Sequence, residues 1–531
     1  MLNPRIPAMR NQALIGVTLF VLGLWLAWEV GGKIVANDVG TLTFAALGFA
    51  GCAVAIAILR NWRSGFYLFL VWLMFEDLAR KYTGNSLAMF FGKDVLLALV
   101  YIALFREIRQ GREKTFRPPF LLFLSFFFWL GVLQVFNQNS PHILYGLLGF
   151  KLYFYYVPLL FVGYALIRSD EDLRRFLVAN VGLAIVIAAL GIMQAILGNT
   201  FLNPTKLAPE LQDLGDLSKT SPLTGKAFSL PDSVFVSSGR FALYLIVVFI
   251  LAMGAAAYLL FYTRRSRAIA FVGVGLVGTA TLLSGSRSAV IGVVASALVL
   301  PAAFLWGAPW RQGQAHRMFK AIRRSAIVAG IALVALIALY PEEAGSRLAF
   351  YKETLSPKSA SYQGEARAWD YPVQNFLDVF TRPNWVFGNG IGTASLGGQY
   401  VSKLLGTRLY SIGVEEGYGQ MIIEMGILAP FLWILWTGSL LYYSWTVVRR
   451  LRGTRYFPIG VAILWYAFFL LYPLTYIVLS AYENYTNNAY LWLMIGVLFR
   501  LPSLLVPTTV PMIDVERAPG MQEIATEFSG S

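Results

Sequence analysis

The chain of 531 residues contains few of the residues on which soluble domains and metalloproteins depend. Charged side chains make up 13% of it, about half of the fraction that a soluble domain carries. The single cysteine, Cys52, excludes an internal disulfide, and the two histidines, His142 and His316, are too few for a histidine-rich metal site. We therefore expect neither a bound metal ion nor a cofactor.

Apolar residues are abundant instead, at 57% of the sequence, and they form long runs bounded by short basic clusters. This pattern is typical of membrane helices, and we predict an all-α, polytopic integral membrane bundle of about fourteen spans. The predicted spans are residues 13–30, 41–59, 65–79, 92–105, 118–136, 150–167, 176–197, 241–262, 268–283, 288–306, 325–340, 418–446, 457–480 and 488–503. The first could be read as a signal peptide, but it is long for one and has no small-residue cleavage site, so we interpret it as a retained helix.

Basic residues are concentrated in alternate segments between the predicted spans. These segments include 106–117, 168–175, 311–324 and 449–455. The positive-inside rule makes them cytoplasmic, which places both termini in the cytoplasm of a bacterial inner membrane protein. The net charge of +15 is then a consequence of topology, and we expect no nucleic acid as a partner.

The predicted topology divides the chain into four parts. Residues 1–340 form an N-terminal transmembrane bundle, 341–417 a large periplasmic segment that is partly helical, and 418–503 the C-terminal transmembrane helices. Residues 504–531 are polar and are predicted to form a disordered cytoplasmic tail. A second long outer segment covers about 198–240.

The outer membrane surface is predicted to carry a layer of cations. Helices entering from outside begin with a base at four positions, Lys93, Lys151, Arg240 and Arg287, and Arg80 and Lys81 lie in the same layer. A cation is unfavourable at a helix N-terminus unless an anion is shared there, and a diphosphate would bind both N–H groups and guanidinium groups. The alternative is that these side chains are interfacial anchors. Arg287 favours binding, because the short connection Ser284–Ser288 fixes it at the surface.

Two further polar clusters lie near the outer face. From Ala366 an amphipathic pattern places Arg367 and Asp370 on the polar side of a helix, which starts at Asp370 or is kinked at Pro372, and a glycine-rich turn follows at 388–392. This helix could instead lie on the bilayer surface. The other cluster is a stripe that enters the membrane at Glu416, Gln420 and Glu424. A helix cap explains Glu415 or Glu416, whereas Glu424 lies deeper and is expected to have a partner.

These clusters together resemble the O-antigen ligase and O-antigen polymerase superfamily. The resemblance covers most of the chain and is closest from Thr281 to Pro430. Its elements are SGSRSA at 284–289, GEARAW at 364–369, RPNWVFGNGIG at 382–392 and EEGYGQMIIEMG at 415–426, with a weaker likeness of 76–82 and 92–94 to exopolysaccharide polymerases. The resemblance implies a GT-C-like glycosyltransferase fold and a donor glycan linked to undecaprenyl diphosphate.

The resemblance also implies roles for individual residues. Arg287 and Arg367 match the two family arginines that hold the diphosphate, and we add Arg240 and Lys151 to that site. Ligases of the family have a histidine as the presumed base where this chain has Glu415, which is followed by Glu416. We take Glu415 as the expected base, Glu416 as second, and Asp370 or Glu76 and Asp77 as further candidates. The supporting residues are Arg80, Lys81, Lys93, Trp369, Asp370, Tyr418 and Glu424.

The departure from histidine favours a polymerase over a ligase. The expected reaction transfers glycan, with inversion and without a metal, onto the hydroxyl of an acceptor sugar at the periplasmic face. An O-antigen ligase that uses lipid A core as acceptor and a flippase for lipid-linked glycans are the alternatives. The expected partners are the polyprenyl-diphosphate-linked donor, the glycan acceptor and membrane lipids, with a chain-length regulator and a flippase as candidate protein partners.

Overall fold

The computed structural model describes most of the chain. The described residues are 39–114, 116–204, 218–221, 225, 227–260, 264–307, 338–359, 362, 365–395, 398–406, 414 and 416–505, with single positions between 316 and 334. The predicted span 13–30, most of the predicted span 325–340 and residues 506–531 of the predicted tail lie outside the described residues.

The described chain is built from helices that are joined by short connections. The first group is α1 (Val39–Arg60), α2 (Trp62–Tyr82), α3 (Leu87–Arg109), α4 (Leu121–Val135), α5 (Ile143–Phe154), α6 (Leu159–Leu166) and α7 (Asp170–Leu197). A hairpin of strands β1 (Ser218–Thr220) and β2 (Ala227–Ser229) precedes α8 (Ser238–Leu259), α9 (Arg264–Leu283) and α10 (Arg287–Gly307).

The outer segment and the C-terminal part contribute the remaining elements. The outer segment contains α11 (Pro341–Leu355), a π-helical turn (Ala366–Asp370), α12 (Tyr371–Asp378), a 3-10 turn (Val379–Thr381) and α13 (Gly398–Leu405). The C-terminal part contains α14 (Gly417–Met425), α15 (Leu428–Leu451), α16 (Phe457–Phe469), a second π-helical turn (Leu470–Leu474), α17 (Thr475–Ile477), α18 (Ser480–Glu483), α19 (Tyr485–Arg500) and a 3-10 turn (Leu501–Leu504).

Seven helical stretches among the described residues are long and apolar enough to cross a membrane. They are Leu87–Arg109, Ile143–Leu166, Asp170–Leu197, Ser238–Leu259, Arg287–Gly307, Leu428–Leu451 and Phe457–Ile477. These stretches agree with the predicted all-α membrane protein. The number of fourteen spans and the GT-C-like architecture stay predictions.

The chain divides into two compact units. The smaller contains residues up to Leu70 together with Gly92–Arg112, and in it the Trp62 indole N–H donates to a Glu107 carboxylate oxygen at 2.9 Å. The larger contains Val71–Phe91 and the chain from Glu113 onward. Lys93 belongs to the smaller unit, where it is buried in α3. The site described below lies wholly in the larger unit.

Helix α8 is the centre of the larger unit. Its apolar residues face all directions, which is typical of a helix that is surrounded by others, and most of them are buried. It packs against α7, α9, α10 and α16. The Ser237 hydroxyl caps its first turn by accepting from the backbone N–H of Arg240, so the start of α8 fixes the position of that arginine.

Helices α6 and α19 approach so closely that their backbones are in contact. A Cβ atom added at Gly163 would lie 2.1 Å from the carbonyl oxygen of Leu493. Small residues at such contacts allow close packing in membrane bundles. The contact places the start of α19, and with it the polar residues before that helix, at a fixed position beside α5 and α6.

Three predicted single spans contain a break or an irregular turn in the structure. The span 150–167 is broken between Phe154 and Leu159, where Pro158 removes a backbone donor, and the span 457–480 passes through the π turn that contains Pro473. The span 418–446 consists of α14 and α15, which are separated at Gly426 with φ of 84°. Each break ends a helix next to the polar residues considered below.

The prediction that Lys93 and Lys151 begin helices is wrong. Lys93 is the seventh residue of α3, and Lys151 lies in the last turn of α5. Backbone hydrogen bonds continue through a charged residue, so a base does not mark where a helix begins. Arg287, by contrast, is the first residue of α10, and Arg240 is in the first turn of α8.

Candidate functional site

Two adjoining cavities lie on either side of the connection between α9 and α10. The first, the Glu483 cavity, has a volume of about 290 Å³, and its lining includes Arg240, Glu483, Asn484 and Tyr485. The second, the Arg287 cavity, has a volume of about 610 Å³. Its lining includes Lys219, Arg287, Ala368, Tyr371, Pro473 and Leu474. Ser286, Ser288 and Val478 line both cavities, so the two spaces share one wall.

A tight connection fixes Arg287 in its cavity. The Ser284 hydroxyl accepts from the backbone N–H of Ser286 at 3.2 Å, and the Ser286 hydroxyl accepts from the backbone N–H of Ala289 at 3.4 Å. These bonds cap α10 at Arg287. The guanidinium carbon of Arg287 lies 5.6 Å from the centre of the Phe350 ring, which is the range of a cation–π contact.

Lys219 is a second cation in the Arg287 cavity, and the sequence analysis missed it. The β-hairpin pairs Lys219 with Phe228, and the Lys219 Nζ lies 5.5 Å from the same Phe350 ring. The Nζ is also 3.4 Å from the carbonyl oxygen of Gly285. One aromatic ring therefore orients two cations toward one space. Lys219 stands in the outer segment 198–240, where no motif indicated a function.

Helix α11 packs against the β-hairpin and carries the Phe350 ring that contacts both cations. Phe350 and Tyr351 pack with Phe228 of the hairpin in a small apolar core. Arg347 is buried and donates from Nη2 to the carbonyl oxygen of Ser229 at 2.8 Å. Burial raises the pKa of Tyr351 to about 12, so its phenol is neutral near neutral pH. The hairpin and α11 thus form one support for the two cations.

The outer amphipathic element reaches the same cavity. Ala368 of the π turn Ala366–Asp370 and Tyr371 of α12 line it beside Arg287. Arg367 belongs to that π turn, and its side chain lies outside the described part of the structure. Trp369 is 66% exposed and Asp370 is exposed as well. The connection at 284–289 and the π turn Ala366–Asp370 therefore meet at one cavity in the structure.

Three other predicted cations of the larger unit are held by carboxylates. Arg240 Nη1 lies 2.9 Å from Asp77 Oδ2, and Arg80 Nη1 lies 2.8 Å from Asp77 Oδ1. Lys81 Nζ lies 3.0 Å from Asp232 Oδ2. These pairs tie α2 to α8 and to the segment before it. Asp77, a further candidate for the base, is occupied in this network.

Lys151 has a different environment again. Its Nζ lies 4.5 Å from the ring centre of Phe90 and 4.6 Å from that of Phe91. Among the described residues, its neighbours Leu148 and Leu152 line the Glu483 cavity, but Lys151 does not belong to either lining. The structure therefore does not bring Lys151 together with Arg287.

Of the two predicted catalytic carboxylates, the structure describes one, Glu416. Glu415 is outside the described residues. Glu416 is the N-cap of α14, where its carboxylate accepts from the backbone N–H groups of Tyr418, at 2.8 Å, and Gly419. Burial raises the pKa of Glu416 to about 7, although both N–H groups oppose this shift. As far as the described linings extend, neither Glu416 nor the half-buried Tyr418 faces a cavity.

Glu424 is buried at the end of α14 and holds the glycine-rich turn. Its carboxylate accepts from the Tyr153 hydroxyl at 3.0 Å and from the backbone N–H of Ala394 at 3.1 Å. A Cβ atom at Gly388 would lie 2.6 Å from the Glu424 carbonyl oxygen, and Gly388 has φ of 81°. Only glycine fits at position 388. The described contacts of Glu424 therefore stabilise this turn.

A polar segment before α19 also escaped the sequence analysis. Glu483 is 3% exposed and lines the smaller cavity, and its Oε1 accepts from the Gln420 side chain at 3.1 Å. Asn484 caps α19 by accepting from the backbone N–H of Thr486 at 3.0 Å. The signal for this segment is the polar run SAYENYTNN at 480–488, directly before an apolar helix.

Comparisons of the chain with family models, with curated proteins and with solved structures give no match. The resemblance to the O-antigen ligase and polymerase superfamily therefore depends on the sequence elements alone. The two cavities and their linings are the structural basis for a proposal about function.

Proposed function

We propose that the protein is a bacterial inner-membrane glycan polymerase. It transfers an oligosaccharide from undecaprenyl diphosphate onto a sugar hydroxyl of an acceptor at the periplasmic face. The observation that carries this proposal is the Arg287 cavity, where two oriented cations and the element that contains Arg367 meet. The apolar helices, which are long enough to span a membrane, supply the setting that a lipid-linked donor requires.

The chemistry of the Arg287 cavity suits a diphosphate. Arg287 begins α10, so its side chain and the positive end of the helix dipole lie at the same cavity, where we propose that they contact the same anion. The hydroxyls of Ser286 and Ser288 lie beside it, 3.1 Å apart. Guanidinium groups bind phosphate oxygens through two parallel hydrogen bonds, and Arg367 is proposed to supply the second such group.

The proposed reaction is a single displacement. The acceptor oxygen bonds to the anomeric carbon, whose bond to the phosphate oxygen breaks, and the electron pair leaves with the diphosphate. The configuration at that carbon is inverted. Positive charge fixed at the departing phosphate stabilises the transition state, which is the role proposed for Arg287 and Arg367 in place of a metal ion. The acceptor hydroxyl must lose a proton, and the sequence elements assign that proton to Glu415.

The outer segment offers a surface for lipid contact. Trp369, Phe387 and Leu404 are exposed apolar residues on this segment. Aromatic and apolar side chains of this kind are common where a protein meets the interface of a bilayer. They are proposed to keep the π turn at Ala366–Asp370 close to the membrane, where the diphosphate of the donor lies.

The test is reconstitution of the purified protein with a defined oligosaccharide on undecaprenyl diphosphate. Wild type should give a polymer ladder on a gel and release the carrier lipid. Arg287→Ala should lower the rate by about 10²- to 10³-fold at an unchanged protein level, because the leaving group loses a charged donor. Arg175→Ala is the matched control, since Arg175 lies on the surface in an ion pair with Glu171.

Three results would contradict the proposal. A full ladder from Arg287→Ala would remove the diphosphate role. Transfer only onto lipid A core would indicate the ligase alternative. Movement of the lipid-linked glycan across vesicle membranes without any new glycosidic bond would indicate the flippase alternative.

A further inference from the structure

The two cavities differ in the charge that lines them. Among the described residues of both linings, Glu483 is the only acid, and it belongs to the smaller cavity. The larger cavity contains the cations Arg287 and Lys219. The proposed displacement needs positive charge at the departing diphosphate and a base at the attacking hydroxyl. These two groups must be close together but in separate places. The shared wall at Ser286, Ser288 and Val478 provides that arrangement.

The other described buried carboxylates of the larger unit are Glu76, Asp77, Asp232, Glu353, Glu416 and Glu424, and they have contacts elsewhere. Glu76 lies 3.5 Å from Arg80, and Glu353 accepts from the Ser221 hydroxyl. Asp77 receives Arg80 and Arg240, and Asp232 receives Lys81. Glu416 caps α14, and Glu424 holds the glycine-rich turn. As far as the structure describes the linings, none of these six carboxylates belongs to a cavity wall. Glu483 therefore has a position on a cavity wall that none of these described carboxylates shares.

The neighbours of Glu483 fix its position and add polar groups to a largely apolar lining. Its Oε1 accepts from Gln420 of α14, and Asn484 begins α19 directly after it. The rest of the lining includes the guanidinium of Arg240 and the Ser480 residue of α18. A cavity of about 290 Å³ is at the lower end of the roughly 300–1,000 Å³ range for small-ligand sites. A sugar hydroxyl in this space would find a carboxylate and hydrogen-bonding groups.

We propose that Glu483 is the general base that takes the proton from the acceptor hydroxyl. This inference rests on the proposed function, and it moves the role of base from Glu415 to Glu483. The O–H proton passes to the Glu483 carboxylate, and the acceptor oxygen bonds to the anomeric carbon at the shared wall. The bond from that carbon to the phosphate oxygen breaks, and the electron pair leaves with the diphosphate beside Arg287. The proton later returns to water.

The experiment compares carboxylate variants in the reconstituted reaction. Glu483→Gln should lower kcat by about 10²- to 10⁴-fold, with the KM for the donor changed by less than about threefold, because the base acts after the donor is bound. Sodium formate should restore part of the rate in Glu483→Ala, since a small carboxylate can enter the space left by the side chain. Glu107→Gln is the matched control, because Glu107 also accepts from one side-chain N–H and belongs to the smaller unit.

The outcomes separate this inference from the proposed function. A wild-type rate in Glu483→Gln, combined with loss of activity in Glu415→Gln, would overturn the role of Glu483 and leave the polymerase proposal in place. A lower unfolding temperature in Glu483→Ala with no formate rescue would also overturn it, because both follow from a structural role. If the wild-type protein forms no glycosidic bond while Arg287→Ala still binds the donor normally, the proposed function itself fails.

Discussion

Arg240 and Arg287 occupy the first turns of two packed helices, α8 and α10, yet their surroundings differ. Arg240 lies against the carboxylate of Asp77, which it shares with Arg80. Arg287 lies over the ring of Phe350, which it shares with Lys219, and it lines the larger cavity. Arg240 also lines the smaller cavity and lies 5.0 Å from the ring centre of Tyr485, so the difference lies in its ion pair with Asp77. A buried ion pair of this kind ties a cation to the fold, whereas Arg287 lines the larger cavity beside Lys219, where we propose that an anion binds.

The sharpest test of this comparison is removal of the shared carboxylate. Asp77→Asn removes the buried negative charge that Arg80 and Arg240 share, and Glu76, 3.5 Å from Arg80, is then the nearest described carboxylate of that arginine. Breaking a buried ion pair in this way costs about 3–5 kcal/mol. We expect a large fall in the unfolding temperature in detergent and in the yield of folded protein. Asp378→Asn, at the exposed end of α12, is the control and should behave like wild type. Unchanged stability of Asp77→Asn would break the comparison.

A smaller effect, on activity alone, is expected for the second cation of the cavity. Lys219→Met keeps much of the side-chain length and removes the charge beside Arg287. We expect the KM for the lipid-diphosphate donor to rise about tenfold, the equivalent of about 1.4 kcal/mol, because one charged contact to the phosphate is lost. The unfolding temperature should stay that of wild type. Lys358→Met changes an exposed lysine of the same outer segment and should leave the KM unchanged.

Kinetics would show whether Lys219 belongs with the cavity or with the fold. A Lys219→Met variant with normal KM and reduced stability would place Lys219 with Arg240 and Arg80, as a structural cation.

A pH-dependent effect is expected for a carboxylate that is held by backbone N–H groups. Burial raises the pKa of Glu416 from 4.5 to about 7 in the folded protein. The folded state therefore holds this proton more tightly than the unfolded state, so the free energy of unfolding falls as the pH rises between those two values. The loss amounts to at most about 3 kcal/mol. In Glu416→Gln, the unfolding temperature should fall less than in wild type between about pH 5 and pH 7. Parallel curves for the two proteins would contradict this assignment.

The sequence predicted the helical character, the long apolar helices and the start of a helix at Arg287. Apolar runs and short connections are local features, so they can be read without tertiary contacts. The sequence could not distinguish the role of Arg240 from that of Arg287. The difference depends on the ion pair of Arg240 with Asp77, which lies 163 positions away in the chain. Lys219 depends on a hairpin and on α11, and Glu483 depends on a break between helices. The positions of Lys219 and Glu483 therefore depend on contacts between segments that are distant in the sequence, and no local motif indicates them.

Two π-helical turns form part of the wall of the Arg287 cavity, through Ala368 in one and Pro473 and Leu474 in the other. A π turn holds one residue more than an α-helical turn, and one residue corresponds to a rotation of about 100° around the helix axis. Deleting a single residue within Leu470–Leu474 would therefore turn Ile477 and Val478 away from the cavity while the helix itself persisted. The shape of the Arg287 cavity therefore depends on the number of residues in the π turns as much as on the size of the side chains.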